Sequence, residues 1–297
     1  MQRTFFSFCF VLVAAFCFGQ SSALKNTIAE ITKNRKATVA VSVQGIDFPF
    51  QFNNENATKK LPMLSVFKFH IALATLNLVD QGKLSLTQKF LIGKSYLLPN
   101  TYSPLRDKYP NGNIELTLDE LIYYSVSLSD NNTTDFLLRI IGGTQTVQQF
   151  MNAKKVKDFQ IKYSEEQMHL GPEYLYPNYT TTKSLSNLYK RFYKGKIISR
   201  KSTDYLYRIL QSTTTGGNKL KEKVPKGAVA HKTGSSGKDE KGLTIAENDS
   251  GIVTLPNGKR YAIAVFVSDS TESYETNCGM ISDISKAVWD ALERRAK

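Results

Sequence analysis

The chain is poor in the residues that build disulfide frameworks and metal centres. Its 297 residues include three cysteines, three histidines and one tryptophan. Cys9 and Cys17 lie in the first apolar stretch, so Cys278 stands alone in the remainder and no intramolecular disulfide can form there. No histidine pairs with Cys278 in the sequence, and it reads as a small buried residue rather than a nucleophile. His70, His169 and His231 have no His-x-His or similar spacing, and no cysteine pair supports them. Metal-assisted hydrolysis is therefore not expected, and no cofactor is implied. After the first stretch no apolar run is long enough to span a bilayer, so no membrane anchor is expected. Acidic residues are also scarce: 26 Asp and Glu face 39 Lys and Arg, a formal net charge of +13. Basic proteins often meet nucleic acid or anionic surfaces. Here the lysines are spread along the chain, with no basic helix and no aromatic-basic repeat. The charge reads as a solvated surface with weak attraction to anionic envelope polymers, and no nucleic-acid partner is expected.

Met1-Gln2-Arg3 followed by the apolar run Thr4 to Phe18 has the form of a secretory signal peptide, 1–19 with cleavage after Gly19 or as late as Ala23. No lipid-attachment pattern surrounds Cys9 or Cys17. The mature protein is expected to be exported to the periplasm or the medium, and to be a soluble monomer. The remaining length suits one large or two interleaved domains.

Ala37–Val43 alternates apolar and small polar residues as a strand does, and Phe48–Phe52 reads as a second strand joined to it by a hairpin through Gly45. Ser65 then opens a run that is apolar on nearly every face as far as Val79, with Gly82 as its C-terminal cap. From Lys83 to Glu115 the chain is rich in turn formers. Thr117-Leu118-Asp119-Glu120 is a helix-capping start, and a further helix carries Asp135–Ile141 and stops at Gly142-Gly143. Residues 159–182 form a long segment without regular period, a kind of loop that is usually functional. Helices follow at 184–193 and 202–211. Strands are expected at 228–233, 250–255 and 260–268, the last two joined by the turn Pro256-Asn257-Gly258-Lys259, and a closing amphipathic helix at 283–297. The pattern predicts an α/β fold (an α+β sandwich): an antiparallel sheet flanked by helices and built from 20–60 and 212–297, plus an inserted all-helical domain, 61–211. A cleft between the two is the natural site.

The chemistry starts with Lys68. A lysine near the start of a buried helix is anomalous, because burying an ammonium costs several kcal/mol unless it is paired. Beside it, one helical turn earlier, stands Ser65. A desolvated lysine there can help take the hydroxyl's proton. Ser129-Asp130-Asn131 and Lys232-Thr233-Gly234 follow in order on separate elements. Over essentially all of its mature length the chain resembles the class A serine β-lactamases, whose triplet this is. The divergent, extended-spectrum-like subgroup is the nearer likeness. It fits Gln167-Met168-His169, Asp135, Ser235-Ser236 after the Lys-Thr-Gly triplet, and the extra residues between Gly237 and Gly251. The usual arginine–aspartate bridge across the long loop is missing, since Tyr163 and Asn178 occupy those positions.

The resemblance implies a secreted hydrolase that opens the β-lactam amide of penicillins and cephalosporins through a Ser65 acyl-enzyme and confers antibiotic resistance. Lys68, or Glu165 through a water, takes the serine proton. Backbone N–H groups of Ser65 and Ser235 form the oxyanion hole. Ser129 relays a proton to the lactam nitrogen, and Glu165 activates the deacylating water, with His169 where the family commonly has asparagine. Asn131 holds the side-chain amide of the drug, and Asp130 has a structural role. Lys232, Thr233 and Gly234 take the substrate carboxylate with Ser235 and Ser236, Lys219 supplements them, and Tyr102 forms a cleft wall. His231, next to Lys232, is expected to pack. The alternatives are a peptidoglycan D-Ala-D-Ala carboxypeptidase (penicillin-binding protein), marked by a long-lived acyl-enzyme, and a non-catalytic lactam-binding sensor domain.

Overall fold

The structure is a computed structural model describing residues 22–296. The proposed signal peptide, up to residue 19, lies outside the described residues; the later cleavage point, Ala23, falls inside helix α1 (22–32). That helix escapes a strand-led reading of the N-terminal region, although Leu24 and Ile28, one turn apart, are both buried.

Strand β1 (Thr38–Gly45) is followed by β2 (Gln51–Asn53), β3 (Leu61–Pro62), a 3₁₀ turn at Leu64–Val66 and helix α2 (Phe67–Asp80). The turn-rich segment contains β4 (Lys89–Ile92), α3 (Pro104–Lys108) and β5 (Ile114–Thr117). Helices α4 (Leu118–Val126), α5 (Asn131–Ile141) and α6 (Gly143–Ala153) come next. Thr117 and Glu120 form a reciprocal capping box on α4, as their spacing predicts. Gly142 ends α5 with a left-handed φ of 92°, but α6 starts at once on Gly143, where a break was expected. The long loop carries β6 (Phe159–Gln160), α7 (Glu165–Met168) and β7 (Tyr179–Thr180). Then come α8 (Thr182–Tyr193), α9 (Arg200–Gln211), β8 (Val229–Ser235), β9 (Thr244–Thr254), β10 (Arg260–Ser270) and α10 (Tyr274–Ala296). The last helix starts nine residues before the expected Asp283.

Five strands form one sheet in the order β2-β1-β10-β9-β8, antiparallel at every pairing. Both chain ends contribute, and the fold is α+β. Alternation sends Val39, Val41 and Val43 to one face, where they pack with α1 and with Ile281, Ile284 and Val288 of α10. The other face is lined by small residues, Ala40, Ala262 and Ala264, which pack with α2 and α8. Small side chains let α8 lie close: Ser42 Oγ on β1 is 2.7 Å from Ser186 Oγ on α8.

Helix α2 is buried all round its N-terminal part, with Phe67, Phe69, Ile71, Leu73 and Leu76 all fully enclosed. Burial of each such side chain stabilises by roughly 1.5–3 kcal/mol. Together they exceed the several kcal/mol that enclosing Lys68 costs, so the helix holds the lysine in place.

Candidate active site

Ser65 lies inside the 3₁₀ turn that leads into α2. Leu64 just before it has φ +47°, a left-handed conformation that costs a branched residue about 1–2 kcal/mol. Neighbouring elements hold it there. Asn248 on β9, fully buried, donates from Nδ2 to the carbonyls of Pro62 (2.9 Å) and Met63 (3.2 Å). The Met63 N–H donates to Asn178 O at 2.9 Å. Strand β8 runs against the same turn: a Cβ on Gly234 would stand 2.5 Å from Met63 O and 3.3 Å from Ser65 N. Only glycine lets the strand approach this near, which brings the end of β8 beside the Ser65 backbone.

One turn on, the Lys68 side chain is completely enclosed, and three acceptors surround its nitrogen. These are Ser129 O at 2.7 Å, Asn131 Oδ1 at 2.5 Å and Glu165 Oε1 at 3.0 Å. The Ser65 hydroxyl donates to that same Glu165 oxygen at 3.5 Å. Ser129 sits between α4 and α5 with φ +60°. Asp130 fastens this turn: it caps α5 by accepting from Thr133 N (2.8 Å) and also accepts from Ser103 Oγ (2.8 Å) and Leu105 N (2.7 Å). From β8, Lys232 Nζ reaches Ser129 Oγ at 2.8 Å. Burial, and then the Lys68 charge across the site, push the Lys232 ammonium well below the usual lysine range.

Glu165 is the first residue of α7. Ser164 caps this short helix in a box with Gln167. From α5, Asp135 accepts the Glu165 N–H (2.8 Å) and the Glu166 N–H (2.7 Å) on its two oxygens. Burial and the nearby Glu165 charge raise the Asp135 carboxyl from 3.8 to about 6. Asn178 closes the loop in place of an ion pair. Its Oδ1 accepts from Lys162 N (2.7 Å) and Tyr163 N (2.9 Å), and its Nδ2 donates to Tyr163 O (2.8 Å). A cavity of about 210 Å³ opens beside Glu165, bordered by Thr101, Asn131 and His169.

With this geometry in view, the chain matches the model of the Beta-lactamase enzyme family over residues 23–292. It is 42% identical over 281 residues to beta-lactamase VEB-1 of Pseudomonas aeruginosa, covering 91% of each chain. The chain belongs to the class A serine β-lactamases. The crystal structure of TLA-3 extended-spectrum beta-lactamase superposes with a TM-score of 0.90 at 47% identity, covering 92% of this chain and 99% of that one. A class A beta-lactamase from Bacteroides cellulosilyticus gives 0.87 at 38%, covering 93% and 99%.

Within the β-lactamase framework, Ser65, Lys68, Ser129, Asn131, Glu165 and Lys232 form one connected contact network. His169 joins it at the edge. Its Nδ1 lies 2.7 Å from Glu165 O and its Nε2 3.1 Å from Thr101 Oγ1, which in turn accepts from Asn131 Nδ2 at 2.7 Å. Thr233 Oγ1 is 2.7 Å from Thr215 Oγ1, in the segment before β8. Tyr102 stands at the rim, 56% exposed, with its backbone carbonyl accepting from Asn131 N.

Three residues sit differently from the expectation. Lys219 is enclosed behind β8, ion-paired with Glu247, and it donates to Gly234 O (3.4 Å) and Asn248 O (3.2 Å). Its charge is already met, which argues against Lys219 as a second anchor for a substrate carboxylate. Ser235 turns its hydroxyl to Glu247 (2.8 Å), leaving its backbone rather than its side chain for the cleft. The Ser236 hydroxyl is used within the hairpin, on Gly237 O at 2.7 Å. His231 faces away from Lys232 and meets Asp249 at 2.9 Å. Cys278 is free and buried, its thiol raised to about 11 by burial and by the Glu247 charge.

Asn248, Thr101 and Thr215 escape a motif reading because each acts through a partner distant in sequence. Asn248 also lay outside the strand expected at 250–255 and entered it only because β9 begins at Thr244.

Proposed function

We propose that this β-lactamase hydrolyses penicillins and cephalosporins through an acyl-enzyme on Ser65, and that it is exported, monomeric and bacterial. In this reading the 61–211 unit supplies Ser65, Lys68, Ser129, Asn131 and Glu165, and the sheet unit supplies Lys232 to Ser236. One observation carries the reading: Glu165 Oε1 lies 3.5 Å from Ser65 Oγ and 3.0 Å from Lys68 Nζ, beside a cavity of about 210 Å³. A water needs roughly 10–15 Å³ of such space. Glu165 thus reaches the nucleophile and borders a space large enough for water, the two things a deacylating base requires.

Ser65 Oγ attacks the lactam carbonyl and its proton passes to Glu165, directly or through a water, with Lys68 steadying the charge that develops. Backbone N–H groups of Ser65 and Ser235, brought together by the glycine at 234, stabilise the oxyanion. In other acyl-transfer enzymes one such donor contributes about 3–4 kcal/mol. Lys232 bridges to Ser129, which hands a proton to the departing nitrogen as the C–N bond breaks. Lys232 and Thr233 bind the substrate carboxylate, whose negative charge favours the ammonium form of the desolvated lysine. The proton that Glu165 took from Ser65 passes through Lys68 to Ser129, replacing the one given to the nitrogen and restoring the carboxylate. Glu165 then takes a proton from the water that attacks the ester carbonyl and returns it to Ser65 Oγ as the ester C–O bond breaks. Asn131 and the rim at Tyr102 and His169 bound the space for the drug's side chain.

Intact-protein mass spectrometry through a time course with one cephalosporin, run beside its absorbance, tests this. Rapid drug loss with only transient acylation is expected. A stable Ser65 adduct with little drug loss would instead identify a penicillin-binding peptidase or sensor.

A further inference from the structure

A second cavity, of about 320 Å³, shares no lining residue with the cavity beside Glu165. It opens where β1 and β2 meet the first turns of α8 and the turn that follows α6. At its wall stands Gln44, two positions along β1 from Ser42 and on the same face as the Ser42–Ser186 contact. Gln44 is 6% exposed, and among the described residues its carboxamide has no hydrogen-bond partner. Its polar atoms keep contact with solvent, so the amide opens onto the cavity rather than being sealed in.

The charge around this amide is one-sided. Lys155, Lys157, Lys183 and Arg191 line the cavity against a single acid, Asp158. None of the five forms an ion pair among the described residues. The walls are tied to each other. Ser184 Oγ donates to Lys157 O and Arg191 Nη2 to Lys154 O, both at 2.5 Å, so the turn is pinned to α8. Lys183 and Ser184 lie in the first turn of this 12-residue helix, where the macrodipole adds positive potential.

We propose that this cavity binds a phosphoryl group carried on a small polar molecule, with the Gln44 amide donating to a phosphate oxygen and the four cations supplying the counter-charge. The volume is at the lower end of small-ligand sites, larger than a bare phosphate needs and fitting a sugar-sized body. A recessed amide favours a compact ligand over a flat anionic surface. The inference does not depend on the β-lactam reading.

The test is an NMR titration of the full ¹⁵N-labelled mature chain with ribose 5-phosphate, ribose and inorganic phosphate, with sedimentation against phosphatidylglycerol and phosphatidylcholine vesicles. Saturable movement of the Gln44 side-chain amide signals by ribose 5-phosphate, and not by ribose, is the expected result. Lys157→Glu and Lys183→Glu, at exposed positions that leave drug turnover intact, are each expected to weaken binding by about tenfold or more. If phosphatidylglycerol vesicles bind and ribose 5-phosphate displaces the protein from them, the same cavity takes the phosphoryl group of a lipid. No movement at millimolar ribose 5-phosphate, equal movement with ribose, unchanged affinity in both charge variants, or vesicle binding that the sugar phosphate does not compete would each overturn the proposal.

Discussion

Replacing Glu165 by glutamine separates the acid's chemical role from its structural one. Glutamine keeps the volume and an oxygen for Lys68, but it cannot take a proton from water. A positioned general base contributes about 10²–10⁴-fold. The middle of that range, about 10³, corresponds to roughly 4 kcal/mol of barrier. Stability changes less. Removing one partner of a buried ion pair costs about 3–5 kcal/mol when the other charge is stranded, but Lys68 keeps Ser129 O at 2.7 Å and Asn131 Oδ1 at 2.5 Å, so that range is an upper bound. The neighbouring acid is the control. Glu166 is 52% exposed and pairs with Arg139, itself 44% exposed, at 3.1 Å. Such a surface pair is worth about 0–1 kcal/mol, and Glu166→Gln should turn over like the parent. With a cephalosporin, Glu165→Gln should accumulate the Ser65 adduct in the mass spectrum while drug loss falls by about three decades. If Glu166→Gln stalls as an adduct and Glu165→Gln does not, the assignment of the base is off by one residue and the reasoning fails.

Four further outcomes follow from the same geometry. The fold raises the Asp135 carboxyl from 3.8 to about 6, so its protonated form is favoured. That contribution, about 3 kcal/mol, is fully present below 3.8 and is lost as pH rises through about 6; urea melts at pH 4 and 7 should lose this slope in Asp135→Asn. Protonating Asp135 also removes an acceptor from the cap of α7, so deacylation by the parent should slow on the acid side of 6, read by single-turnover kinetics. The Lys232 ammonium is depressed by burial, so KM for carboxylate-bearing lactams should rise on the alkaline side before an ordinary lysine would titrate. Lys232→Arg should flatten that limb, and an unchanged limb would assign it elsewhere. Asn178→Ala removes three hydrogen bonds to the backbone of residues 162 and 163, at about 1 kcal/mol each; about 3 kcal/mol should be lost from the loop, seen as faster amide exchange at 162–168 together with slower deacylation.

What the sequence determined by itself was local. The Thr117–Glu120 cap, the hairpin at Pro256–Lys259, the valine alternation of β1 and the all-round apolar character of α2 arise between residues a few positions apart. The order of Ser65-x-x-Lys68, Ser129-x-Asn131 and Lys232-Thr233-Gly234 was legible for the same reason. Helix α6 was missed because it follows a glycine pair that looks like a stop, although Val147, Phe150 and Met151 keep a helical spacing. Only the tertiary structure decided which long-range partners meet. Lys68 reaches Ser129 and Glu165, 61 and 97 residues away, while Lys219 turns to Glu247 rather than to the cleft. Asn248 holds the Ser65 turn from across the sheet, and Asn178 closes the loop where an ion pair was missing. These directions are set by the closeness of β8, β9 and the turn before α2, and by which buried polar group finds a partner first. Neither is encoded in any short stretch of the chain.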